Sequence, residues 1–122
     1  MAEILVIDDE LQLRRVIGRV LTGMGHTVHE AANGAEGLEV FQRVKPALVI
    51  SDIVMPDSEG IETIRELHRL APATPIVAIS GGSAHALYLR AAKALGAAAS
   101  LEKPFRAEEL TAIVAALLKT NG

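Results

Sequence analysis

Short apolar runs alternate along the chain with longer stretches in which apolar positions follow a helical period. The runs predict five strands, at Ile4–Ile7, Thr27–Ala31, Ala47–Ile50, Ile76–Ile79 and Ala97–Leu101. The first, third and fourth runs are continuously apolar and rich in β-branched residues, which is typical of strands covered on both faces. The second run alternates and the fifth consists mostly of small residues, so these two are weaker strand patterns.

The stretches between the runs carry apolar residues three and four positions apart, which predicts amphipathic helices. In the first helix these positions are Leu13, Val16, Ile17, Val20, Leu21 and Met24. N-capping residues stand where the second, third and fourth helices begin, at Asn33, Ser58 and Ser83. Helix-ending glycines follow the first and fourth helices, at Gly23, Gly25 and Gly96. Apolar positions of the fifth helix are Leu110, Ile113, Val114 and Leu117.

Strand and helix therefore alternate five times, with no linker, repeat or low-complexity segment between them. Such a (βα)5 pattern predicts an α/β fold, a doubly wound five-stranded parallel sheet with helices on both faces. We expect residues 1–122 to form a single domain. In such sheets ligands bind beyond the carboxyl ends of the strands, where the strand order reverses.

Composition and charge restrict the classes of function that the chain can have. Half of the residues are hydrophobic and 22% are charged, the balance of a globular domain. The net charge of −3 and the lack of a basic stripe argue against nucleic acid binding. Without cysteine, the chain has no disulfide, thiolate metal site or thiol nucleophile. An acidic N-terminus and the lack of an apolar run near ~20 residues predict a cytoplasmic protein without membrane segments.

Polar groups follow four of the five predicted strands, at the point where each strand ends. They are Asp8 and Asp9, Asp52, Ser80, and Lys103. Clustered carboxylates repel one another, and a divalent cation removes that repulsion. An all-oxygen set of ligands suits Mg²⁺ better than Zn²⁺. With a metal bound, a carboxylate on a rigid strand end can attack phosphorus, while a lysine offsets phosphoryl charge.

Each of these groups taken alone also fits a purely structural role. The Asp8-Asp9 pair can form a turn before a helix, and Ser80-Gly81-Gly82 resembles many other turns. Asp57 and Glu59 fit a solvated loop and the acidic first turn of a helix. The histidines show no metal-ligand spacing, and His29 is expected on an edge strand. It is the conjunction of polar groups at four strand ends that favours a site.

Four sequence stretches together indicate a family. They are VIDDE, SDIVMPDSEG, AISGG and LEKPF. In order and spacing the chain resembles, over essentially its whole length, the receiver domain of bacterial response regulators, of the stand-alone CheY-like kind. The resemblance implies a flavodoxin-like strand order. It also implies a cis peptide bond between Lys103 and Pro104.

The resemblance further assigns roles to the strand-end residues. It implies that Asp52 accepts the phosphoryl group, that the Ser80 hydroxyl follows it and that Lys103 forms an ion pair with it. It implies a Mg²⁺ site formed by Asp9 with Asp8 in support, by Asp52 and by the main-chain carbonyl of Val54.

Two features depart from the family pattern. Receivers usually carry an aromatic residue at the start of a YLxKP-like stretch, where this chain has Ser100. The aromatic switch that carries the signal to the far surface therefore lacks its side chain. Val54 and Gly82 offer no polar side chain to orient an attacking water. We therefore hypothesise a fairly long-lived phospho-form.

The sequence thus predicts a phosphorylation-controlled switch that takes its phosphoryl group from a sensor histidine kinase or a phosphotransfer protein. It would modify only itself, so we do not expect a free-standing enzyme. Output would pass to an unknown partner protein, or through a homodimer, by the fourth helix, fifth strand and fifth helix. Three alternatives are a degenerate receiver scaffold, a haloacid-dehalogenase-like phosphatase and a flavodoxin-like cofactor module. The phosphatase would need a DxD nucleophile after its first strand, whereas Asp8 and Asp9 are adjacent.

Overall fold

The computed structural model describes residues 1–53, 59–81 and 85–121, within which the chain forms five strands and five helices. The strands are β1 (Glu3–Ile7), β2 (Thr27–Ala31), β3 (Leu48–Asp52), β4 (Ile76–Ser80) and β5 (Ala99–Glu102). The helices are α1 (Leu11–Gly23), α2 (Gly34–Val44), α3 (Glu59–Leu70), α4 (His85–Ala94) and α5 (Ala107–Asn121).

All the strands pair in parallel in one sheet, in the order β2-β1-β3-β4-β5. The chain first moves from β1 to β2 and then crosses to β3 on the other side of β1, so the strand order reverses between β1 and β3. This is the flavodoxin-like order, and it confirms the α/β fold class. The reversal places the carboxyl ends of β1 and β3 side by side at the edge where such folds bind ligands.

Alternate residues of the strands pack into two hydrophobic layers, one on each face of the sheet. Ile4 and Val6 of β1 pack with residues of α1 and α5, including Ile17, Leu21, Leu110 and Val114. Leu5 and Ile7 pack on the opposite face with residues of α2, α3 and α4, including Val40, Phe41, Ile64, Leu67 and Ala92. Burial on both faces explains why three strands are continuously apolar in the sequence.

The predicted apolar face of α1 was too wide. Ile17 and Leu21 are buried, and Leu13 and Val20 pack partly against the same layer. Val16, however, is 50% exposed and Met24 is 37% exposed. Because each helical residue turns by about 100°, Val16 lies well away from the Ile17 direction that faces the sheet.

The predicted start of β5 at Ala97 was also wrong, by two residues. The Ala97 N–H donates to the carbonyl of Ala92 at 2.9 Å, and Gly96 has a φ of 114°. The chain is therefore still closing α4 at Ala97. Pairing with β4 becomes regular from Ala99, which lies opposite Val77.

Helix boundaries agree with the predicted capping residues where the structure describes them. The Asn33 Oδ1 accepts a hydrogen bond from the Glu36 N–H at 2.8 Å and so caps α2. Gly25, with a φ of 93°, follows the end of α1. Ser58 and Ser83 lie outside the described residues. Within the described ranges, the helices are too short or too polar for any of them to cross a membrane.

Candidate functional site

Each group at the candidate site is delivered by the end of a different strand. Asp8 directly follows β1, Asp52 is the last residue of β3, Ser80 is the last residue of β4, and Lys103 directly follows β5. The side chains of Asp8, Asp52 and Ser80 are buried. The sequence prediction that these groups gather at one edge of the sheet is confirmed for Asp8, Asp52 and Lys103 by the contacts between them.

The ammonium group of Lys103 lies among three carboxylates. Its Nζ is 2.9 Å from Glu10 Oε1, 3.0 Å from Asp52 Oδ2 and 3.5 Å from Asp8 Oδ2. Partial desolvation disfavours the charge, but the hydrogen bonds to Glu10 and Asp52 and the nearby negative charges raise the pKa of Lys103 above its ordinary value. Lys103 therefore stays protonated at any physiological pH.

The main chain also holds Lys103 in this position. Its N–H donates to the Ser80 carbonyl at 2.7 Å, and its peptide bond to Pro104 is cis, as the family resemblance implied. The lysine stem runs beside Gly81, where an added Cβ would lie 3.1 Å from the Lys103 Cβ. A glycine at this position thus leaves room for the lysine to reach the carboxylates.

Asp8 is fully buried, and its two oxygens have different surroundings. Oδ1 accepts a hydrogen bond from the Glu10 N–H at 2.8 Å, while Oδ2 accepts no hydrogen bond within the described part of the chain. Burial, together with repulsion from Asp52 and Glu10, raises the pKa of Asp8 to about 6, although the Glu10 N–H and Lys103 oppose the rise. The nearby positive charge is therefore too small to offset the burial of the ionised Asp8 carboxylate.

The other predicted metal ligands are placed differently. Asp9 is exposed, and it lines the cavity beside Asp52. Val54, whose carbonyl was the fourth predicted ligand, lies outside the described residues. Its role and that of Asp9 remain predictions.

Glu10 was not assigned a role from the sequence, although it belongs to the site. Its carboxylate lies with those of Asp8 and Asp52, and one oxygen from each falls within 4.8 Å of the others. Glu10 is the N-cap residue of α1, yet its side chain makes no capping hydrogen bond and contacts Lys103 instead. A third consecutive acid before a helix was the available signal, and helix capping was the ordinary interpretation of it.

The site fits a hard divalent cation. The available ligands are carboxylate oxygens, which Mg²⁺ prefers. One of them, Asp8 Oδ2, is buried without a hydrogen-bond donor among the described residues, which is the electrostatic deficit that a bound cation removes. The carboxylates of Asp8, Glu10 and Asp52 outnumber the one ammonium group that contacts all three of them.

A cavity of about 640 Å³ opens onto these groups. Its polar lining includes Asp9, Glu10, Asp52 and Lys103, and its apolar lining includes Leu13, Pro104 and Phe105. Asp52, although almost fully buried, lines this cavity, whose volume is large enough to admit a phosphoryl group. The apolar part of the lining offers contact area to whatever molecule carries that group.

Comparison with known proteins decides the family. Residues 4–115 match the family model described as the response regulator receiver domain. The chain belongs to the receiver domain family. This match favours the receiver interpretation over the haloacid-dehalogenase-like and flavin-binding alternatives.

The relatives of this receiver domain include proteins of similar length and much longer ones. It is 35% identical to the chemotaxis protein CheY of Thermotoga maritima over 84% of this chain and 86% of CheY. It is 36% identical to the transcriptional regulatory protein KdpE of Escherichia coli, covering 99% of this chain and 53% of KdpE. It is also 34% identical to the sensor kinase CckA of Brucella abortus, where it covers 97% of this chain and 13% of the kinase.

Solved structures of receiver domains superimpose closely on this one. The CheY-like receiver domain protein from Methanospirillum hungatei gives a TM-score of 0.93 at 26% identity, covering 99% of this chain and 96% of that one. The receiver domain of NtrX from Brucella abortus gives 0.90 at 31% identity, covering 96% and 98%. The fold is thus that of the family.

Ser100, where the family resemblance implies an aromatic residue, lies in β5. The residue is half-buried and pairs in register with Ala78 of β4. Phe105 packs partly against the hydrophobic layer of α1 and α5, and it lines the cavity. The side chain of Tyr88 and all of Gly82 lie outside the described residues.

Proposed function

We propose that this receiver domain is the phosphoacceptor switch of a two-component system, phosphorylated on Asp52. The observation that carries the proposal is the 3.0 Å contact between Asp52 Oδ2 and Lys103 Nζ beside an open cavity. A carboxylate that is fixed on a strand end and paired with a permanent cation is suited to accept a phosphoryl group.

In the proposed reaction a carboxylate oxygen of Asp52 attacks the phosphorus atom of a phosphohistidine. The new bond is an O–P bond of an acyl phosphate, and the P–N bond breaks with its electron pair leaving on the imidazole. Lys103 offsets charge on the phosphoryl oxygens from the position that it already holds. The Ser80 hydroxyl, on the neighbouring strand, donates to the transferred phosphoryl group.

The acidic residues have a separate task. We propose that Asp8 and Asp52, with Asp9 at the cavity and the Val54 carbonyl, hold Mg²⁺. When bound, Mg²⁺ supplies positive charge that offsets the negative charge of the carboxylates and the phosphoryl group. Because the domain modifies only itself and has no separate substrate, we do not class it as a free-standing enzyme.

Receiver domains exchange phosphoryl groups with histidine kinases or phosphotransfer proteins, and we propose such a donor in the cytoplasm. Leu13, Pro104 and Phe105 line the cavity beside Asp52, which favours a protein donor that covers this apolar surface. We propose that output passes through α4, β5 and α5, either to a partner protein or to a second copy of the chain. With Ser100 in β5, this output would proceed without the usual aromatic side chain.

Mass spectrometry after incubation with Mg²⁺ and acetyl phosphate tests the proposal. We expect a mass increase of one phosphoryl group in the wild type and none in Asp52→Asn. A Ser80→Ala variant should still become phosphorylated, but more slowly, because Asp52 and Lys103 remain in place.

Two results would contradict the proposal. No mass increase at any donor concentration would indicate the degenerate scaffold. Turnover of a generic phosphate ester that is lost in Asp8→Asn and kept in Asp52→Asn would indicate a phosphatase whose nucleophile follows β1.

A further inference from the structure

We propose that Arg14 is a positioning residue for the metal-binding carboxylate of Asp8, and that Glu30 fixes Arg14 for this task. The inference rests on the proposed function, because it assumes that Asp8 binds Mg²⁺. It concerns residues on α1 and β2 to which the resemblance assigns no role.

Arg14 connects three elements through one guanidinium group. Its Nη1 donates to the main-chain carbonyl of Asp8 at 2.7 Å, and its Nε donates to Glu30 Oε1 at 2.9 Å. Arg14 lies in the first turn of α1, Asp8 directly follows β1, and Glu30 lies in β2. The side chain of Arg14 is only 13% exposed, whereas that of Glu30 is 38% exposed, so the bond to the Asp8 carbonyl is the better shielded of the two.

These contacts leave a single atom of Asp8 available. Its N–H donates to the Ala31 carbonyl at 3.1 Å, its carbonyl accepts from Arg14, and its Oδ1 accepts from the Glu10 N–H. Oδ2 is the atom without a hydrogen bond among the described residues, and it lies 3.5 Å from Lys103 Nζ. The main chain of Asp8 is thus held on both sides, and together with the bond to Oδ1 this fixes the direction of Oδ2, which contacts Lys103 through a longer ion pair.

The loss of Arg14 would release that constraint. The Asp8 carbonyl would lose its charged donor, and its peptide group could rotate toward another partner. Because the Glu10 N–H bonds to Asp8 Oδ1 across the same turn, such a rotation would disturb that bond and change the position of Oδ2. Removal of a residue that orients a metal ligand through a hydrogen bond typically lowers metal affinity by about 10- to 100-fold.

Arginine suits this role better than lysine. Its planar guanidinium presents several N–H groups in a fixed geometry, so one side chain reaches the Asp8 carbonyl and the Glu30 carboxylate together. An ammonium group on a flexible stem would have to satisfy both from a single atom. The next residue, Arg15, has the same chemistry but is exposed, and it provides a matched control.

Isothermal titration of Mg²⁺ into the unphosphorylated protein tests the inference without any phosphoryl transfer. We expect Arg14→Ala to weaken Mg²⁺ binding by about 10-fold. Arg14→Lys should lose less affinity than Arg14→Ala, because one of the two bonds can be retained. Glu30→Gln should show a smaller loss in the same direction, and Arg15→Ala should bind Mg²⁺ as the wild type does.

Phosphorylation kinetics give a second readout. With acetyl phosphate as donor, Arg14→Ala should need more Mg²⁺ for half-maximal rate and should approach the wild-type rate at saturating Mg²⁺. A purely structural role would instead lower the maximal rate without changing the Mg²⁺ requirement. If Arg14→Ala does not fold, as judged by circular dichroism, Arg14→Lys and Glu30→Gln provide the same comparison.

The possible failures can be told apart. If the wild type binds Mg²⁺ and is phosphorylated while Arg14→Ala binds Mg²⁺ equally well, the inference is wrong and the proposed function stands. An equal loss in Arg15→Ala would also overturn it, since the effect would then reflect only general charge. If the wild type binds no Mg²⁺, both the inference and the proposed metal site fail.

Discussion

At the end of β1 the carboxylate of Asp8 is fully buried, and one of its oxygens has no hydrogen-bond donor within the described residues. Burial and neighbouring acids raise its pKa to about 6. In the metal-free protein this group therefore destabilises the fold at neutral pH. A residue needed for cation binding is thus expected to lower the stability of the protein that lacks the cation.

Replacing Asp8 by Asn removes that charge and keeps the shape of the side chain. In the absence of divalent cations we expect Asp8→Asn to be more stable than the wild type by about 3 kcal/mol at pH 7, since the pKa of Asp8 rises from its ordinary 3.8 to about 6 and one pKa unit corresponds to about 1.4 kcal/mol. Urea denaturation of both proteins in EDTA measures the difference. A less stable variant at pH 7 would contradict this account.

The difference in the free energy of unfolding between Asp8→Asn and the wild type should depend on pH. Since the folded-state pKa of Asp8 lies above its unfolded value, the folded wild type takes up a proton first as the pH falls through about 6. The advantage of Asp8→Asn should therefore shrink between pH 6 and about 4, and below that remain constant. Burial lowers the pKa of His26, which gives the opposite slope, but His26 is present in both proteins and cancels. A difference that stays constant with pH would exclude Asp8 as its source.

The chemistry of individual residues was predictable only where strand ends determined it. Asp52 and Lys103 each stand two residues after the last apolar residue of a strand, so the parallel sheet brings them to one edge whatever their side-chain conformations. The contact between Glu10 and Lys103 depends on how the Glu10 side chain is directed from a helix start. Sequence periodicity carries no information on that direction, and the residue was missed for this reason.

At the scale of single elements, the start of α3 packs against the chain that leaves β3. An added Cβ at Gly60 would lie 2.5 Å from the carbonyl oxygen of Ile53, the residue after Asp52. Ile53 is also bonded to β4, because its N–H donates to the Ile79 carbonyl at 2.9 Å. This backbone is therefore held between β4 and α3 and cannot move aside easily.

We expect Gly60→Ala to lower the free energy of unfolding by about 1–3 kcal/mol, the usual cost of overpacking. We also expect it to slow phosphorylation of Asp52, because the displaced residue, Ile53, directly follows Asp52 in the chain. Gly23→Ala is the matched control, because an added Cβ there meets no atom within 4 Å. Urea denaturation and the acetyl phosphate assay measure both effects. Equal stability of the two alanine variants would refute the proposed backbone contact.

Elements were predictable to the extent that burial shaped their sequence. The strands that are covered on both faces were located to within two residues at each end. The errors concern β5, where the turn that closes α4 still includes Ala97, and α1, where Val16 is exposed. Both the start of β5 and the exposure of Val16 depend on how one element packs against another. The hydrophobic pattern within a single element carries no information on that packing.

At the scale of the whole molecule, Mg²⁺ binding should stabilise the native fold through linkage, because the site exists only in the folded sheet. Above the dissociation constant, each tenfold increase in Mg²⁺ should raise the free energy of unfolding by about 1.4 kcal/mol. Urea denaturation in MgCl₂ at constant ionic strength measures this slope. Asp8→Asn should show little or no slope, and an equal slope in that variant would indicate non-specific binding.

Lys103 is bonded to Asp52 and Glu10 across 51 and 93 positions of the sequence. No contiguous fragment shorter than the stretch from Asp8 to Lys103 can therefore contain the complete site. During synthesis on the ribosome, Asp52 is made long before Lys103. Until β5 has paired with β4, the Asp52 carboxylate therefore lacks this ammonium partner. If Asp52 is the phosphoacceptor, as we propose, we therefore expect only fully folded chains to accept a phosphoryl group.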